Sequence, residues 1–259
     1  MNAANNWRNC KPECPAYSVT IFSLWLMLSS SPFARAADVR PVTPFQARYE
    51  LYGVGLPLGE ALMALDYPEP NRYVMQFEVH PNRLVALLAS HQVKEQASGE
   101  IRNGEVQPLQ YAQQTDASGE SRDIRLRFDR SAGRVDARNN AESATLPLSP
   151  GITDPLSLHL TVMWDLERDQ LPEQYALIDG IQIRTYQIRS EGEEMLKTAL
   201  GELLTVRVSQ AQSGGSRITT FWFAPHLQSL PVRITRQKKG REDLRLEVRS
   251  VERGEPTIH

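Results

Sequence analysis

Through most of the chain, hydrophobic and polar residues alternate one by one. Phe45, Ala47, Tyr49 and Leu51 fall on one side of an extended segment, with Gln46, Arg48 and Glu50 on the other. Tyr73, Met75, Phe77 and Val79 repeat the pattern, as do Ile124, Leu126 and Phe128. Leu204, Val206 and Val208, then Leu230, Val232 and Ile234, then Leu244, Leu246 and Val248 continue it. A period of two puts one side of each strand on a core and the other in water, the habit of antiparallel sheets. Turn signals separate the runs: Tyr67 to Asn71, Asn103-Gly104, Ala132-Gly133, Asp179-Gly180, Gly214-Gly215 and Lys239-Gly240. Asn-Gly and Asp-Gly favour the two-residue hairpin turns that need positive φ.

One segment breaks the alternation. Asp154 or Thr153 can cap a helix whose first position is Pro155. Leu156, Leu160, Met163 and Glu167 form one stripe of it, and Leu158, Val162 and Leu166 a neighbouring one. So wide an apolar arc calls for cover by a sheet. A second helix is expected from Asn82 to His91, and Asn139 to Pro150 reads as a polar, irregular connector. The expected fold is mostly β: a curved antiparallel sheet, or half-open barrel, of about ten strands enclosing one main helix over residues 154–168.

The N-terminus changes the picture. Arg8 and Lys11 precede the apolar run Ala16 to Leu28, and Ala34-Arg35-Ala36 follows it. That is the layout of a cleavable secretory signal, with the cut expected between Ala36 and Ala37. The run is shorter than the roughly 20 residues a spanning helix needs. The alternative is an uncleaved signal that anchors the chain in the inner membrane. The expected organisation is therefore a signal over residues 1–36 and one secreted β domain over 37–259. Both cysteines, Cys10 and Cys14, precede the expected cut, so the mature chain has no thiol or disulfide chemistry. Neither lies in a lipobox. Losing Arg8, Lys11, Arg35 and Glu13 takes the formal net charge from −2 to −4, which leaves no basic footprint for nucleic acid.

The second half carries a likeness. Asp154-Pro155-Leu156-Ser157, Asp179-Gly180, Gly192-Glu193, Leu200-Gly201 and Thr205-Val206-Arg207-Val208 occur in order. Phe221-Trp222-Phe223-Ala224-Pro225 and Leu230-Pro231-Val232-Arg233-Ile234 follow. These segments resemble the bacterial family known as domain of unknown function 3108, over Phe45 to Val251. The resemblance implies a secreted or periplasmic protein with a curved antiparallel sheet, similar in fold to the LolA/LolB lipoprotein carriers. It implies no catalytic residue, and the lipidated cysteine of LolB has no counterpart.

Candidate chemistry is sparse. The five histidines, His80, His91, His159, His226 and His259, have no ligand spacing, and no metal or other cofactor is expected. No nucleophile elbow or S-x-x-K motif occurs. Asp154 and His159 lie about 140° apart around a helix, so they do not form an acid–base pair. Glu193-Glu194 and Glu242-Asp243 read as solvated charges at turns. Gly53-Val54-Gly55 and Gly59 read as a hairpin or bulge. Arg122, Arg125, Arg127, Arg130 and Arg134, interleaved with Asp123, Asp129 and Asp136, read as an ion-paired outer face with the option of an anionic head-group contact. Phe221 and Phe223 point to one side of a strand and Trp222 to the other. Together with Leu160 and Trp164 they are the candidates to line an apolar-ligand site. The expected function is that of a non-enzymatic periplasmic protein holding a hydrophobic or lipid-like ligand inside the sheet. The alternative is an envelope interaction protein with a filled core.

Overall fold

The computed structural model describes residues 40, 42–82, 92–117, 120–212 and 215–254. The expected signal and its Ala36/Ala37 junction lie outside them, as does the expected second helix beyond Asn82. Eight strands come first: β1 Phe45–Gly53, β2 Leu56–Glu69, β3 Arg72–Pro81, β4 Gln92–Arg102, β5 Glu105–Ala117, β6 Glu120–Asp129, β7 Arg134–Asn139 and β8 Glu142–Pro147. The helix α1, Pro155–Glu167, follows. Six more strands complete the chain: β9 Gln174–Asp179, β10 Gln182–Thr198, β11 Gly201–Gln212, β12 Arg217–Ala224, β13 Leu230–Lys238 and β14 Arg241–Arg253.

All fourteen strands form one antiparallel sheet in the order β8 to β1, then β14 to β9. Every neighbour is a hairpin partner except β1 and β14, which join the two halves. The count exceeds the expected ten because several strands lack the half-wet pattern. β8 replaces the expected connector with a polar strand, ESATLP. β10 is exposed along most of its 17 residues, so nothing in its hydrophobicity separates it from a loop. Glu193 and Glu194, expected at a turn, lie inside β10 beside a bulge where Gly192 takes φ 91°. Bulges also interrupt β2, β5, β13 and β14, where the extra residues are Leu58, Leu109, Val232, Asp243 and Arg249. Each bends its strand and tightens the twist, which lets the sheet curl.

The free edges are β8 and β9. After β8 the chain keeps contact with β7 through Leu148 N–H to Gly133 O, 2.9 Å. It then crosses to β9, where Thr153 accepts from Ile178 N–H at 3.0 Å and donates to Ala176 O at 3.2 Å. Thr153 thus pairs with β9 immediately before α1 begins.

The helix forms where the sequence says it should. Asp154 caps it, its Oδ1 accepting from Leu156 N–H at 3.0 Å and Ser157 N–H at 2.8 Å. Leu156, Leu158, Leu160, Val162 and Met163 are buried. α1 packs against β3, β4, β5 and β9. Polar ties fix its axis: Trp164 Nε1 donates to Gly104 O (2.7 Å), Tyr175 OH to Asp165 Oδ2 (2.7 Å) and Ser229 Oγ to Glu167 Oε1 (2.6 Å).

The closest approach of sheet to helix depends on one glycine. Tyr73 of β3 faces Gly99 of β4, and its hydroxyl lies 2.7 Å from Ser157 Oγ of α1. A methyl group at Gly99 would sit 2.6 Å from the Tyr73 ring and 2.3 Å from Gln107 O. The missing side chain is therefore the space that the fully buried Tyr73 occupies. Gly99→Ala is expected to cost about 1–3 kcal/mol by overpacking. Tyr73→Phe, which strips one buried hydrogen bond, should cost about 1 kcal/mol. Denaturant melts of the two variants measure this; a Gly99→Ala variant as stable as wild type would refute the packing role.

Candidate functional site

The inner side of the curled sheet is organised in rows fixed by register. Across β6 to β2 one row runs Ile124, Gln113, Glu95, Phe77, Met63. Across β14 to β11 another runs Leu246, Ile234, Phe221, Val208. Two residues further along β13 and β12, a polar row succeeds the apolar one: Arg236, Thr219 and Gln210. These rows and the Leu158, His159 and Val162 side of α1 enclose a cavity of about 410 Å³. The helix leans on β3 to β5, so the interior beside β11 to β13 is left incompletely filled. Among the described residues the lining turns polar toward one end, at Arg122, Asp179, Gln210, Thr219 and Arg236, which form its mouth.

The polar groups inside are mostly spoken for. Glu95 faces inward, where Tyr111 OH donates to Oε2 (2.9 Å) and Gln113 Nε2 to Oε1 (3.1 Å). Burial raises its carboxyl above the ordinary range, and the two donors partly offset this. His159 is half-buried, with its ring edge-on to Phe221 at 5.6 Å. Burial lowers its pKa to about 4, so at neutral pH the imidazole is uncharged. Arg236 is held by Asp243, with three N···O contacts of 2.9–3.2 Å. The Ser157 hydroxyl is engaged by Tyr73 and its backbone N–H by the Asp154 cap. Asp154 is committed to the cap and His159 to Phe221. No His, Cys, Asp or Glu triad of metal-binding geometry occurs among the described residues. What the arrangement can do is shelter an apolar body and present hydrogen-bonding and cationic groups to whatever part of it reaches the mouth.

The residues singled out in the sequence go to different places. Phe221 and Phe223 line the cavity, stacked at 5.6 Å with 20° between their planes. Leu160 is fully buried in the core and is not part of the lining. Trp164 lies at the other end of the helix, with Arg168 over its ring at 4.9 Å. Trp222 faces outward between Arg207 and Arg233 and donates to Glu194 Oε2 at 3.0 Å. Of the basic stretch, Arg125 pairs with Asp123 (3.0 Å) and Arg134 with Asp136 (3.6 Å). Arg122 turns to the cavity mouth instead. Glu95, Gln113, His159, Gln210 and Arg236 were not legible as lining residues. Arg236 could have been found, because it follows Ile234 by two; Glu95 sits in a strand too polar to show its inner side.

The fold is of the β-barrel-like class. It is similar to the solved β-barrel-like protein of domain of unknown function DUF1849 from Brucella abortus: TM-score 0.56, 12% identity, covering 83% of this chain and 99% of that one. A putative exported protein with a YmcC-like fold from Bacteroides fragilis is more distant, with TM-score 0.37 and 9% identity over 81% of this chain and 95% of its own. The likeness shown is thus to these proteins rather than to the LolA/LolB carriers specifically. The chain belongs to the family described as protein of unknown function, DUF3108, which matches residues 45–246. No curated protein matches it in sequence.

Two groups, one buried and one half-buried, make a pH prediction. Asp154 has one carboxylate oxygen without a partner, and burial raises its pKa from 3.8 to about 6. Between those values the folded chain holds a proton the unfolded chain has lost, so stability falls as pH rises. His159 goes from 6.5 down to about 4, so the unfolded chain binds the extra proton and stability rises over nearly the same window. The two slopes oppose each other, with Glu95 adding to the Asp154 side. Asp154→Asn should make stability climb more steeply from pH 4 to 6, and His159→Gln should make it fall. Each change is bounded by about 1.4 kcal/mol per pH unit. Urea melts at four pH values read it; parallel curves for wild type and both variants would refute it.

Proposed function

We propose that this protein is an exported, non-enzymatic carrier or receptor that holds an amphipathic, mostly apolar small molecule inside its curled sheet. The observation that carries the reading is the cavity of about 410 Å³, apolar along the Leu246–Val208 row and polar at the Arg236–Gln210 row. Its size lies in the range of small-molecule pockets, about 300–1,000 Å³. The gradient from apolar floor to polar mouth suits a molecule with a greasy body and a polar end. Phe221 and Phe223 supply flat aromatic area for the body, and Thr219, Gln210, Arg122 and Arg236 supply donors for the end. In the same reading, residues 1–36 direct export to the periplasm and are cut off before Ala37. The other reading, an envelope protein with a filled interior, has less support from an interior that leaves this volume open.

Two measurements test the carrier reading. Mass spectrometry of organic extracts from the natively purified protein should recover a bound amphiphile. After delipidation, the protein should take up an apolar fluorescent probe such as N-phenyl-1-naphthylamine. Val208→Phe together with Ile234→Phe, which fill the floor, should weaken uptake at least ~10-fold at a stability cost of about 1–3 kcal/mol per substitution. No extractable ligand combined with no probe uptake by wild type would end the proposal.

A further inference from the structure

Two neighbouring hairpin tips stand at the mouth end of the sheet, and neither is built the way stability alone would build it. The first joins β1 and β2. Its turn residues Val54 and Gly55 both take positive φ, 50° and 81°. Such turns favour Asn-Gly, and a β-branched residue there is a rare strain. Val54 is nonetheless 80% exposed, and Leu56 beside it is 67% exposed. They are the two most exposed large hydrophobic residues among the described ones.

The second tip joins β13 and β14, and it lies next to the first because β14 pairs with β1, Tyr52 opposite Arg245. Here register sets like charges against each other. Arg217 of β12 pairs with Lys238 of β13, and Lys238 pairs with Arg241 of β14. Lys239 occupies the turn between them at φ 52°. Four cations thus crowd one corner, all exposed. Directly opposed like charges destabilise a sheet. Among the described residues none of the four has a carboxylate within 4 Å: Glu242 goes to Arg245 (3.6 Å) and Asp243 to Arg236 (2.9 Å), and Asp243 acts on Arg217 only from beyond contact distance. By contrast, the outer-face arginines at positions 125 and 134 are paired with aspartates.

An exposed apolar tip beside an uncompensated basic tip is the surface expected of a protein that rests on an anionic bilayer: apolar side chains enter the acyl boundary and cations meet phosphates. We propose that the Val54–Leu56 and Lys238–Arg241 tips dock this protein on an anionic lipid surface, with the cavity mouth turned toward it. A soluble acidic partner would answer the charges. It would leave unexplained why Val54 and Leu56 project as a convex tip, a shape that enters a fluid surface more readily than it forms a flat interface. The local costs at both tips are the sort that a working surface retains.

The inference goes beyond the carrier reading and is tested without it. Protein purified from the producing cell is sedimented with phosphatidylcholine vesicles, with or without phosphatidylglycerol. Wild type should pellet with the anionic vesicles far more than with the zwitterionic ones, and added salt should weaken it. Lys238→Gln, Lys239→Gln and Arg241→Gln together should lower partitioning more than ~10-fold, since each basic residue near such a surface contributes about fivefold. Val54→Asn with Leu56→Ser should also weaken it; Asn suits the turn better than Val, so the fold is preserved. Uptake of the apolar probe without vesicles should be unchanged in both variants, which separates failure here from failure of the carrier reading. Wild type that ignores anionic vesicles, binds both kinds equally, or keeps its binding when the tips are neutralised would overturn the proposal. So would binding to an acidic soluble protein but not to vesicles.

Discussion

Among the described residues, one thirteen-residue helix covers the inner side of a sheet of fourteen strands. The rest of the structure follows from that mismatch. At 1.5 Å per residue the helix is about 20 Å long and, with side chains, about 10–12 Å across. A curled sheet grows wider with every strand added. The helix satisfies one half of the interior, where Tyr73, Trp164 and Tyr175 tie it down, and it cannot also fill the other half. The cavity beside β11 to β13 is therefore a geometric remainder of the fold. Its chemistry is set by which inward positions each strand happens to contribute.

The same helix concentrates the buried ionisable groups. Asp154 and His159 occupy successive turns of it, and Glu95 faces it from β4. Burial makes each of them prefer its neutral form. For acids and for a base this preference has opposite consequences along the pH scale, so the interior resists charging from either direction.

Much of the scaffold was readable from alternation alone. β1, β3, β6, β13 and β14 showed it because each puts apolar residues at every second position. The helix was readable to within a residue, since Asp154, Pro155 and the apolar arc agree on one start. The rest was hidden for a common reason. β8 and β10 are solvated along most of their length, so no hydrophobic contrast marks them. β4 turns Glu95, Ala97 and Gly99 inward and only one large apolar residue, Ile101, at its far end, so most of its inner side looks like its outer side. For the site, Phe221 and Phe223 were identifiable as inward pairs. Trp222 and Trp164 carry as much apolar area but find hydrogen-bond partners elsewhere, Glu194 and Gly104. Aromatic content could not distinguish these cases; the strand parity of Trp222 and the end-of-helix position of Trp164 decide them.

The pairing of β1 with β14 brings the beginning and end of the sheet side by side. Gly254 N–H reaches Pro44 O at 3.3 Å, and Arg253 contacts both Thr43 and Gln228. Every other strand pairing is local, between chain neighbours. The strands therefore form a cycle in which sequence order and spatial order coincide, broken only at the β8–β9 seam that Thr153 spans. In such a cycle the point at which synthesis starts is arbitrary as far as the folded object is concerned. A chain with residues 43 and 254 joined by a short linker and reopened in the Asn139–Glu142 turn would keep every strand pairing, with β7 and β8 now at its two ends, and the same helix and the same remainder of space.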